Sequence, residues 1–447
     1  MNPETLALVM FGTLFITLFL GHPLAFSLGI LALVFGIIGW GGSVDVVMGL
    51  LANRAYGVMD EYVLVAVPLF IFMAQVLDSS GIAERLFDSM HILMGPVRGG
   101  LAIAVILACT VFAATAGVVG ATEVSVGLLA IPALMSKKYH LPLIAGSICA
   151  GGTLGILIPP SIMLVVYGSL AAVSVGHLYA AAFGPGFLLS SFYISYIALI
   201  CAIKPHYGPP LPKEERIYSL GYKAKIFIVS LVPAIVLIIV VLGSIVFGVA
   251  TPTEAAGMGC VGAVLLAFIY RKLTWKALYN ASWSTFLTTS MIMTLFLGGN
   301  AFQAIFMGLG GGEMVTRLLL GFEIGPMGVL FIMMGIVFFL GMFLDWLGIL
   351  LIIIPIFVPT AMELGFNQIW FATLICMNLQ MAFLTPPFGY SLFYLRGIAP
   401  PEMTIIHIYK GAAPFIALQW AALILCILFP RIILWLPMAT FGASAIK

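Results

Sequence analysis

A single aspartate interrupts a long apolar stretch of the chain. Asp345 is the only charged residue between Pro326 and Thr360, and Gly341 and Gly348 flank it. An acidic side chain at the middle of a bilayer costs at least about 2.5 kcal/mol on insertion scales, so such a residue is expected to serve a function. A carboxylate beside exposed glycine carbonyls suits a hard cation such as Na⁺. We predict that Asp345 binds a cation; the alternative is that it caps a helix by accepting backbone N–H bonds.

A second carboxylate ends a glycine-containing segment in the first half of the chain. The segment runs from Thr115 to Glu123 and contains Gly117 and Gly120. We predict that its carbonyl and hydroxyl oxygens bind a cation and that Glu123 contacts the substrate. The alternative for Glu123 is that it caps the second arm of a helical hairpin.

Two double prolines mark a repeated element. Leu157-Ile158-Pro159-Pro160-Ser161 and Leu384-Thr385-Pro386-Pro387-Phe388 lie in apolar stretches, 227 residues apart. A double proline cannot continue an intact helix, because it removes two N–H donors and its rings clash with the preceding turn. Broken backbone at membrane depth survives only inside protein or beside a polar cavity. Two such breaks, one per half, indicate the binding site of a transporter.

We expect each glycine-rich tip to face the proline break of its own half. The residues of the tips and breaks, with nearby polar side chains, are predicted to form one set of cation ligands and one set of substrate ligands. The predicted cation-binding residues are Thr115, Gly117, Gly120, Gly155, Gly341, Asp345 and Thr385. The predicted substrate-binding residues are Glu123, Thr153, Pro159, Ser161, Asn300, Asn378 and Pro386. No histidine or cysteine pair has metal-ligand spacing, so we predict no transition-metal site, and Na⁺ is the only ion expected.

The composition predicts that membrane helices carry these residues. Apolar residues make up 63% of the chain and charged residues 8%, against about 25% charged in soluble domains. Apolar runs long enough to span a bilayer recur along the chain. The net charge of +2 gives no indication of nucleic-acid binding. The amino terminus lacks a basic region, so we predict a retained first helix rather than a cleaved signal peptide.

The placement of lysine and arginine orients the chain, and we assign its three basic loops to the cytoplasm. The predicted elements of the first half are spans near 4–20, 24–40 and 61–80, a hairpin at 98–135, a broken span at 141–171 and a span at 177–200. Those of the second half are spans at 226–247, 254–270 and 278–300, a hairpin at 326–363, a broken span at 367–397 and a span at 411–430. An interfacial helix is predicted within 41–60.

The two halves are predicted to form an inverted-topology repeat. Each half has five spans and one re-entrant hairpin, and because the number of spans is odd, the second half has the opposite orientation in the membrane. This is a common plan of secondary transporters. The predicted units are residues 1–203, a cytoplasmic linker at 204–225, and residues 226–447. The predicted fold is therefore an all-α polytopic membrane protein with two re-entrant hairpins and two proline-broken helices.

Five segments resemble, in family order, the large membrane subunit of tripartite ATP-independent periplasmic (TRAP) transporters, the DctM family. They are PLFIFMAQVLDSSGIAERLF (68–87), GILIPPSIMLVVYG (155–168), FGVATPTEAA (247–256), GMFLD (341–345) and LTPPFG (384–389). The resemblance implies an elevator-type carrier, in which a scaffold holds a mobile transport domain made of both hairpins and both broken spans. It also implies Na⁺-driven uptake of a small organic acid across the bacterial inner membrane. The implied partners are a small four-span subunit of the DctQ type and a periplasmic substrate-binding protein of the DctP type.

Two departures from the family pattern bear on the site. The family's first tip is usually richer in serine, of the type SGS, whereas this tip reads Thr115-Ala116-Gly117. Many members also carry a basic residue near the position of Gly308, whereas this chain has none between Lys276 and Arg317. The local alternatives for binding a substrate carboxylate are Asn300, Gln303 and the N–H groups of the hairpins.

Three other functions fit parts of the pattern. A self-sufficient Na⁺/carboxylate symporter of the same superfamily would need no partner protein. An intramembrane enzyme is disfavoured, because the chain has no HExxH motif and no Walker A lysine, and Asp345 lacks a convincing second catalytic aspartate in the spans. A channel is disfavoured, because an inverted repeat with two broken spans favours alternating access.

Overall fold

The structure, a computed structural model of the 447-residue chain, describes residues 2–117, 119–212, 218–321 and 324–442. The regular secondary structure in these ranges is helical. Helices suit this apolar sequence, because a helix satisfies its backbone N–H and C=O groups within one segment. The helices of the first half are α1 (Pro3–Phe19), α2 (Leu24–Gly39), α3 (Val44–Asp60), α4 (Ala66–Ser79), α5 (Ile82–Met94), α6 (Gly100–Ala116), α7 (Val119–Ser136), α8 (Leu141–Leu157), α9 (Ile162–Ala171) and α10 (Val175–Ile203).

The second half repeats much of this order. Its helices are α11 (Leu220–Val246), α12 (Pro252–Ile269), α13 (Trp275–Gly308), α14 (Gly311–Leu320), α15 (Gly325–Gly341), α16 (Trp346–Glu363), α17 (Gln368–Ala382), α18 (Tyr390–Ile398), α19 (Ile405–Leu428) and α20 (Arg431–Phe441). The 227-residue offset between the double prolines also relates Val119, where α7 begins, to Trp346, where α16 begins. It likewise relates Leu141, where α8 begins, to Gln368, where α17 begins.

The double prolines interrupt helices where the sequence predicts. The first break (residues 158–161) separates α8 from α9, and the Pro159-Pro160 peptide bond in it is cis. Because Pro160 has no N–H, the Ile156 carbonyl cannot make its usual helical hydrogen bond. The Ser161 hydroxyl donates a hydrogen bond to this carbonyl instead.

The second break (residues 383–389) separates α17 from α18, and its unpaired carbonyl also finds a hydrogen-bond donor. Its Pro386-Pro387 bond is also cis. The Phe383 carbonyl, whose helical partner would be Pro387, accepts a hydrogen bond from the Ser391 N–H at 3.3 Å. In both breaks a serine of the following segment thus satisfies a carbonyl that proline leaves without a donor.

The helices pack in two groups. The inner group contains the helices around both breaks, α6–α10 and α15–α19, and α8 at its centre packs on α6, α7 and α19. The side chains of α8 are buried from Leu143 to Leu157. In the outer group, α12 packs on α4, and α13 packs on α2 and α4. The two groups meet where α13 contacts α16 and where α4 contacts α6 and α9.

The outer helices present apolar side chains to their surroundings. Phe26 on α2, Ile239 on α11 and Phe268 on α12 are each more than 60% exposed. Within the described residues, eight helical segments are long and apolar enough to cross a membrane. The longest is α13, and the broken segment Leu141–Ala171 is the next longest. Apolar exposure on this scale is favourable in lipid and unfavourable in water. The chain is therefore a multi-pass membrane protein.

The predicted hairpins at 98–135 and 326–363 correspond to α6–α7 and α15–α16, whose arms pack together. The predicted helix within 41–60 is α3. Three helices were not predicted, namely α5, α14 and α20. The first two carry charges, such as Glu84 and Arg85 on α5 and Glu313 on α14, so they lack the uniform hydropathy used to identify spans. They occupy corresponding places, because each directly precedes the hairpin of its half.

Candidate functional site

The tip of the first hairpin lies against the first break. Gly117 follows α6 with a φ of +61°, in the left-handed region. A Cβ atom at this position would come within 2.8 Å of the Pro160 carbonyl oxygen, so both the backbone angle and the close approach require glycine. This tip therefore faces the break of its own half, as expected. The predicted ligand Thr115 lies in the last turn of α6, but its side chain and all of Val118 lie outside the described residues.

The tip of the second hairpin places Asp345 at the start of α16. The Asp345 carboxylate accepts a hydrogen bond from the Leu347 N–H at 3.3 Å, so the helix-capping contact is present. A carboxylate has about four lone-pair sites, and one capping bond leaves the others open to a cation. On the opposite arm, a Cβ at Gly341 would lie 2.4 Å from the Ala382 Cβ, so the end of α15 abuts the last turn before the second break.

Both tips open onto one small pocket of about 110 Å³. Its wall includes Gly117 and Gly120 from the first hairpin and Ile162 from the start of α9. Asp345 comes from the second hairpin, and Tyr390 follows the second break. The two hairpins and the residues after the two breaks, which are far apart in sequence, thus meet at one place. Thr288 and Met291 of α13 complete the wall from the outer group.

A larger pocket of about 750 Å³ adjoins the small one. The two pockets share Met291, Asp345, Tyr390 and Tyr394. The larger pocket extends to the α1–α2 turn (residues 20–23) and is lined mainly by apolar and aromatic side chains. Its volume is in the range of small-molecule sites, which are mostly apolar with a few fixed polar groups.

Glu123 lies outside both pockets. It is on α7 and completely buried, and neither carboxylate oxygen accepts a hydrogen bond from a described residue. Its side chain packs on α8, because a Cβ at Gly152 would come within 2.9 Å of the Glu123 Cβ. The structure therefore does not bring Glu123 to the pocket walls, where the sequence-based prediction expects it to contact substrate.

Two other predicted substrate ligands are occupied in the packing of the inner group. Thr153 on α8 is buried, and its hydroxyl accepts a hydrogen bond from the Gln380 amide of α17 at 3.4 Å. Asn378, also on α17, donates through Nδ2 to the Met334 carbonyl of α15 at 2.6 Å. Both residues therefore hold the broken helices to their neighbours and do not line either pocket.

The remaining predicted ligands at the breaks lie beside the pockets. Gly155, Pro159 and Ser161 are buried around the first break. Thr385 and Pro386 are half-buried in the second break, and the Thr385 hydroxyl donates to the Met381 carbonyl at 3.0 Å. None of these five lines either of the two pockets around Asp345, although the neighbouring residues Ile156, Ile162 and Phe383 line the small one.

Asn300 belongs to a different pocket, of about 320 Å³. Its Nδ2 donates to the Phe296 carbonyl at 2.9 Å. Gln303 lines the same pocket, as do Asn53 and Arg54 from α3 and the acidic Glu61 that follows α3. Arg54, from a distant part of the chain, therefore lies in the same pocket as the amides of Asn300 and Gln303, which belong to a stretch of α13 that has no basic residue.

Two tyrosines of α18 belong to the candidate site and were not predicted from the sequence. Tyr390 and Tyr394 line both pockets, and the ring of Tyr394 lies 3.1 to 3.4 Å from the position of a Cβ at Gly120. Their spacing of four residues, directly after the second double proline, places both on one helix face. That spacing was a usable signal in the sequence.

The six cysteines are all buried and free. In the described ranges, no group of three histidine, cysteine, aspartate or glutamate side chains is arranged to hold a metal ion. The site chemistry therefore consists of one carboxylate, hairpin carbonyls, hydroxyls and aromatic rings.

An all-helical multi-pass protein whose two halves each bring a hairpin tip and a broken helix to one pocket has the architecture of a secondary transporter. The sequence profile of the family described as "Tripartite ATP-independent periplasmic transporter, DctM component" matches residues 11–432. The chain belongs to this family of transporter permease subunits, and it is not an enzyme.

Individual relatives carry names for different substrates. The chain is 31% identical over 454 residues to the C4-dicarboxylate TRAP transporter large permease protein DctM of Vibrio cholerae, an alignment that covers 95% of this chain and 96% of that protein. It is 32% identical to the ectoine/5-hydroxyectoine TRAP transporter large permease protein UehC of Ruegeria pomeroyi, over 83% of this chain and 85% of that protein. It is 28% identical to the isethionate TRAP transporter permease protein DctMQ of Oleidesulfovibrio alaskensis, over 95% of this chain but only 65% of that protein.

A solved structure has the same general fold. The crystal structure of the YdaH transporter of Alcanivorax borkumensis matches with a TM-score of 0.63 at 13% sequence identity. The match covers 92% of this chain and 91% of that one. At this identity the similarity concerns the fold alone, which is that of a transporter.

Proposed function

We propose that this TRAP permease is the large subunit of a Na⁺-coupled, binding-protein-dependent importer that carries a small organic acid by an elevator movement. The observation that carries the proposal is the small pocket at which both hairpin tips, the starts of α9 and α18, and the Asp345 carboxylate meet. A site made from equivalent elements of two inverted halves suits alternating access, because the same contacts serve both directions.

Na⁺ coupling is proposed from the charge balance of the site. Asp345 lines both pockets, and no lysine or arginine lines either of them in the described part of the chain. A carboxylate away from water is stable only when it is paired or neutralised. A hard cation bound by Asp345 and by carbonyls of the first tip would neutralise it, and Gly117 and Gly120 of that tip line the same pocket.

The elevator movement is proposed from the two helix groups. The inner group carries the breaks and hairpins, and the outer group carries the helices with the most lipid-exposed apolar surface. They meet at α13 and α16, where a Cβ at Gly299 would lie 2.9 Å from the Leu351 Cβ. A disulfide needs a Cβ separation of about 3.8 Å, so cysteines at both positions can be joined after a small shift.

The double variant Gly299→Cys/Leu351→Cys tests this movement. Oxidation should abolish uptake, and a reducing agent should restore it, because the bond ties the inner group to the outer group. Gly151→Cys is a matched control, since its Cβ would lie 2.9 Å from that of native Cys109 within the inner group. Oxidising the control should leave uptake unchanged. Equal inhibition of both variants would contradict the elevator movement.

The predicted orientation of the chain in the membrane indicates the side to which the larger pocket opens. The α1–α2 turn is predicted to lie in the cytoplasm, and the larger pocket extends to this turn. We therefore assign the structure to the state that faces the cytoplasm. The pocket around Asn300 is lined by Phe296, Asn300 and Gln303 of α13, which follow the residues of the larger pocket toward the end of α13 that is predicted to face outside.

We propose that this outer pocket receives the substrate carboxylate first. Arg54 supplies a guanidinium that can pair with a carboxylate through two parallel hydrogen bonds, and Asn300 and Gln303 add amide donors. Arg54→Gln should raise the KM for uptake several-fold, about tenfold at most for a solvent-exposed pair, with kcat little changed. Arg54→Lys should lie between. An unchanged KM in the glutamine variant would remove the outer pocket from the path.

The partners and the bacterial inner membrane are proposed from family membership. The name DctMQ and the greater length of that relative are consistent with a small membrane subunit, which elsewhere would be a separate chain. In liposomes, uptake should require this chain, a four-span subunit, a periplasmic binding protein and an inward Na⁺ gradient. Uptake by the chain alone would favour the self-sufficient Na⁺/carboxylate symporter instead. Uptake by the complete set of proteins in the absence of Na⁺ would contradict the proposal that Na⁺ is the coupling ion, but not the proposed partners.

A further inference from the structure

A basic pocket lies at one end of the inner group, away from the transport site. Its volume is about 530 Å³, and it lies between the starts of α8 and α19, the end of α10 and the 3-10 turn Pro205–Tyr207. It shares no lining residue with the pockets around Asp345. The positive-inside rule places this end of the helices in the cytoplasm.

Apart from two tyrosines, the titratable side chains at the rim of this pocket are basic. His140, Lys204, His407 and Lys410 line it, and no acidic side chain does so among the residues that the structure describes. Burial lowers the pKa of His140, and the neighbouring basic side chains His206, His407 and Lys204 lower it further. The two lysines supply the positive charge of the pocket.

The chain fold fixes the polar rim. The backbone N–H of His140 donates to the backbone carbonyl of Tyr207 at 3.0 Å, and the two side-chain rings stack with centroids 4.0 Å apart. The Lys204 ammonium lies 5.1 Å from the centroid of the Tyr207 ring, within the range of a cation–π contact. Tyr207 therefore holds both basic groups at the rim.

The two helices that frame the pocket are in backbone contact. A Cβ at Gly411 on α19 would come within 2.1 Å of the Pro142 carbonyl on α8, and one at Gly146 within 2.2 Å of the Gly411 carbonyl. This approach brings the amino-terminal ends of both helices to the pocket. The positive ends of two helix dipoles then add to the charge of the lysines.

The floor of the pocket is apolar. Leu143 and Phe415 are buried beneath the rim and Ile200 is partly exposed, and each lies on the membrane side of the basic rim along its helix. Beside Ile200 on α10, Leu199 is 61% exposed. A free inorganic anion needs only the rim, whereas a lipid also needs an apolar surface for its acyl chains. Basic pockets between helices on the cytoplasmic side bind anionic lipid headgroups in other membrane proteins.

We propose that this pocket binds the phosphate group of an anionic phospholipid of the cytoplasmic leaflet. Lys204 and Lys410 pair with the phosphate, Tyr207 and His140 hydrogen-bond to the headgroup, and the acyl chains lie along the exposed apolar side of α10 at Leu199 and Ile200.

Native mass spectrometry of the full-length chain, released from nanodiscs of equal parts phosphatidylglycerol and phosphatidylcholine, tests the proposal. The native chain should retain phosphatidylglycerol over phosphatidylcholine by about fivefold or more, because each basic residue favours an anionic lipid. Lys204→Gln/Lys410→Gln should reduce the preference to less than about twofold. Lys223→Gln/Lys225→Gln on α11, outside the pocket, removes the same charge and should keep the full preference. Lys204→Arg/Lys410→Arg should also keep it, which shows that the site remains folded with lysine replaced.

Two results would overturn the proposal. One is an equal preference in the pocket and α11 glutamine variants. The other comes from the lipid-free chain in neutral detergent: if inorganic phosphate displaces added phosphatidylglycerol at matched concentration, the pocket is a free-anion site. Failure of phosphate to compete, together with loss of preference only in the pocket variant, supports the lipid site.

Discussion

The two hairpin-and-break units share a backbone plan and differ in chemistry. The first break is buried throughout, and Ser161 in it is completely inaccessible. The second break is partly open, and Phe388 in it is 49% exposed. The carboxylate of the first unit, Glu123, is sealed inside the helix packing, whereas that of the second, Asp345, stands at the tip and lines both pockets.

The repeat offset shows that the two carboxylates are not equivalent. It relates Asp345 to Val118, and it relates Glu123 to Leu350. It also relates Thr385 to Ile158, so the second unit carries polar groups at both its tip and its break where the first carries apolar ones. The shared plan builds the pocket, and the second half supplies most of its polar chemistry.

The orientation of the two units can be tested at equivalent positions. Ser136 ends α7 and Glu363 ends α16, and the 227-residue offset relates them. Ser136→Cys and Glu363→Cys should react with a membrane-impermeant thiol reagent from opposite sides, Ser136→Cys only from the cytoplasm. Labelling of both from one side would show that the halves are not inverted. The six native cysteines are buried, so the unmodified chain serves as the blank.

The largest functional effect is expected at Asp345. Asp345→Asn should lower Na⁺-dependent uptake about tenfold or more, because the amide keeps one oxygen but loses the charge that a cation needs. The helix cap should survive, since asparagine and aspartate cap about equally well. Uptake should therefore be measured against Na⁺ concentration, alongside the unfolding temperature. Native uptake with an unchanged Na⁺ response would leave Asp345 with the capping role only.

A smaller loss is expected when the first tip is altered. Gly117→Ala should destabilise the chain by about 1–2 kcal/mol from the left-handed backbone alone, and the contact with the Pro160 carbonyl adds to this. Uptake should fall with it, because the tip withdraws from the break. Gly335→Ala in α15 is the control: a Cβ there meets nothing within 4 Å. Thermal unfolding in detergent distinguishes the two, and equal unfolding temperatures would contradict the close tip-to-break contact.

The smallest effect is expected at Glu123. Glu123→Gln should keep uptake within about twofold of the native rate and leave stability equal or higher, because an isolated buried carboxylate is costly. The comparison with Asp345→Asn decides which unit carries the ion chemistry. A loss of uptake at Glu123→Gln as large as that at Asp345→Asn would give the first unit an equal share, and a raised substrate KM would restore its predicted substrate contact.

Local sequence rules predict the backbone of the site well. Proline chemistry places both breaks, and glycine with an isolated aspartate places both tips, because these effects act within a few residues. The composition of the walls depends on long-range packing instead. Met291 reaches the pocket because α13 crosses α16, and Arg54 reaches Asn300 because α3 packs on α13. The sequence pattern of either segment alone contains no sign of these meetings.

Charged amphipathic helices were the other omission. α5 and α14 hold one apolar and one charged face, so a search for uniformly apolar runs passes over them. The two helices nevertheless follow the repeat, since the offset of 227 residues carries α5 (82–94) to 309–321, which overlaps α14.

The hydrogen bond between Gln380 and Thr153 joins two positions that the 227-residue offset makes equivalent. In the predicted inverted repeat, such a pair would lie on the pseudo-two-fold axis that relates the halves. If two identical half-length chains had once assembled in opposite orientations, each of these positions would have faced its own copy. Duplication into one continuous chain removes that restriction, because the two partners can then diverge. An amide donor now meets a hydroxyl acceptor across the axis, a pairing of unlike groups that no strictly symmetric ancestor could have placed there.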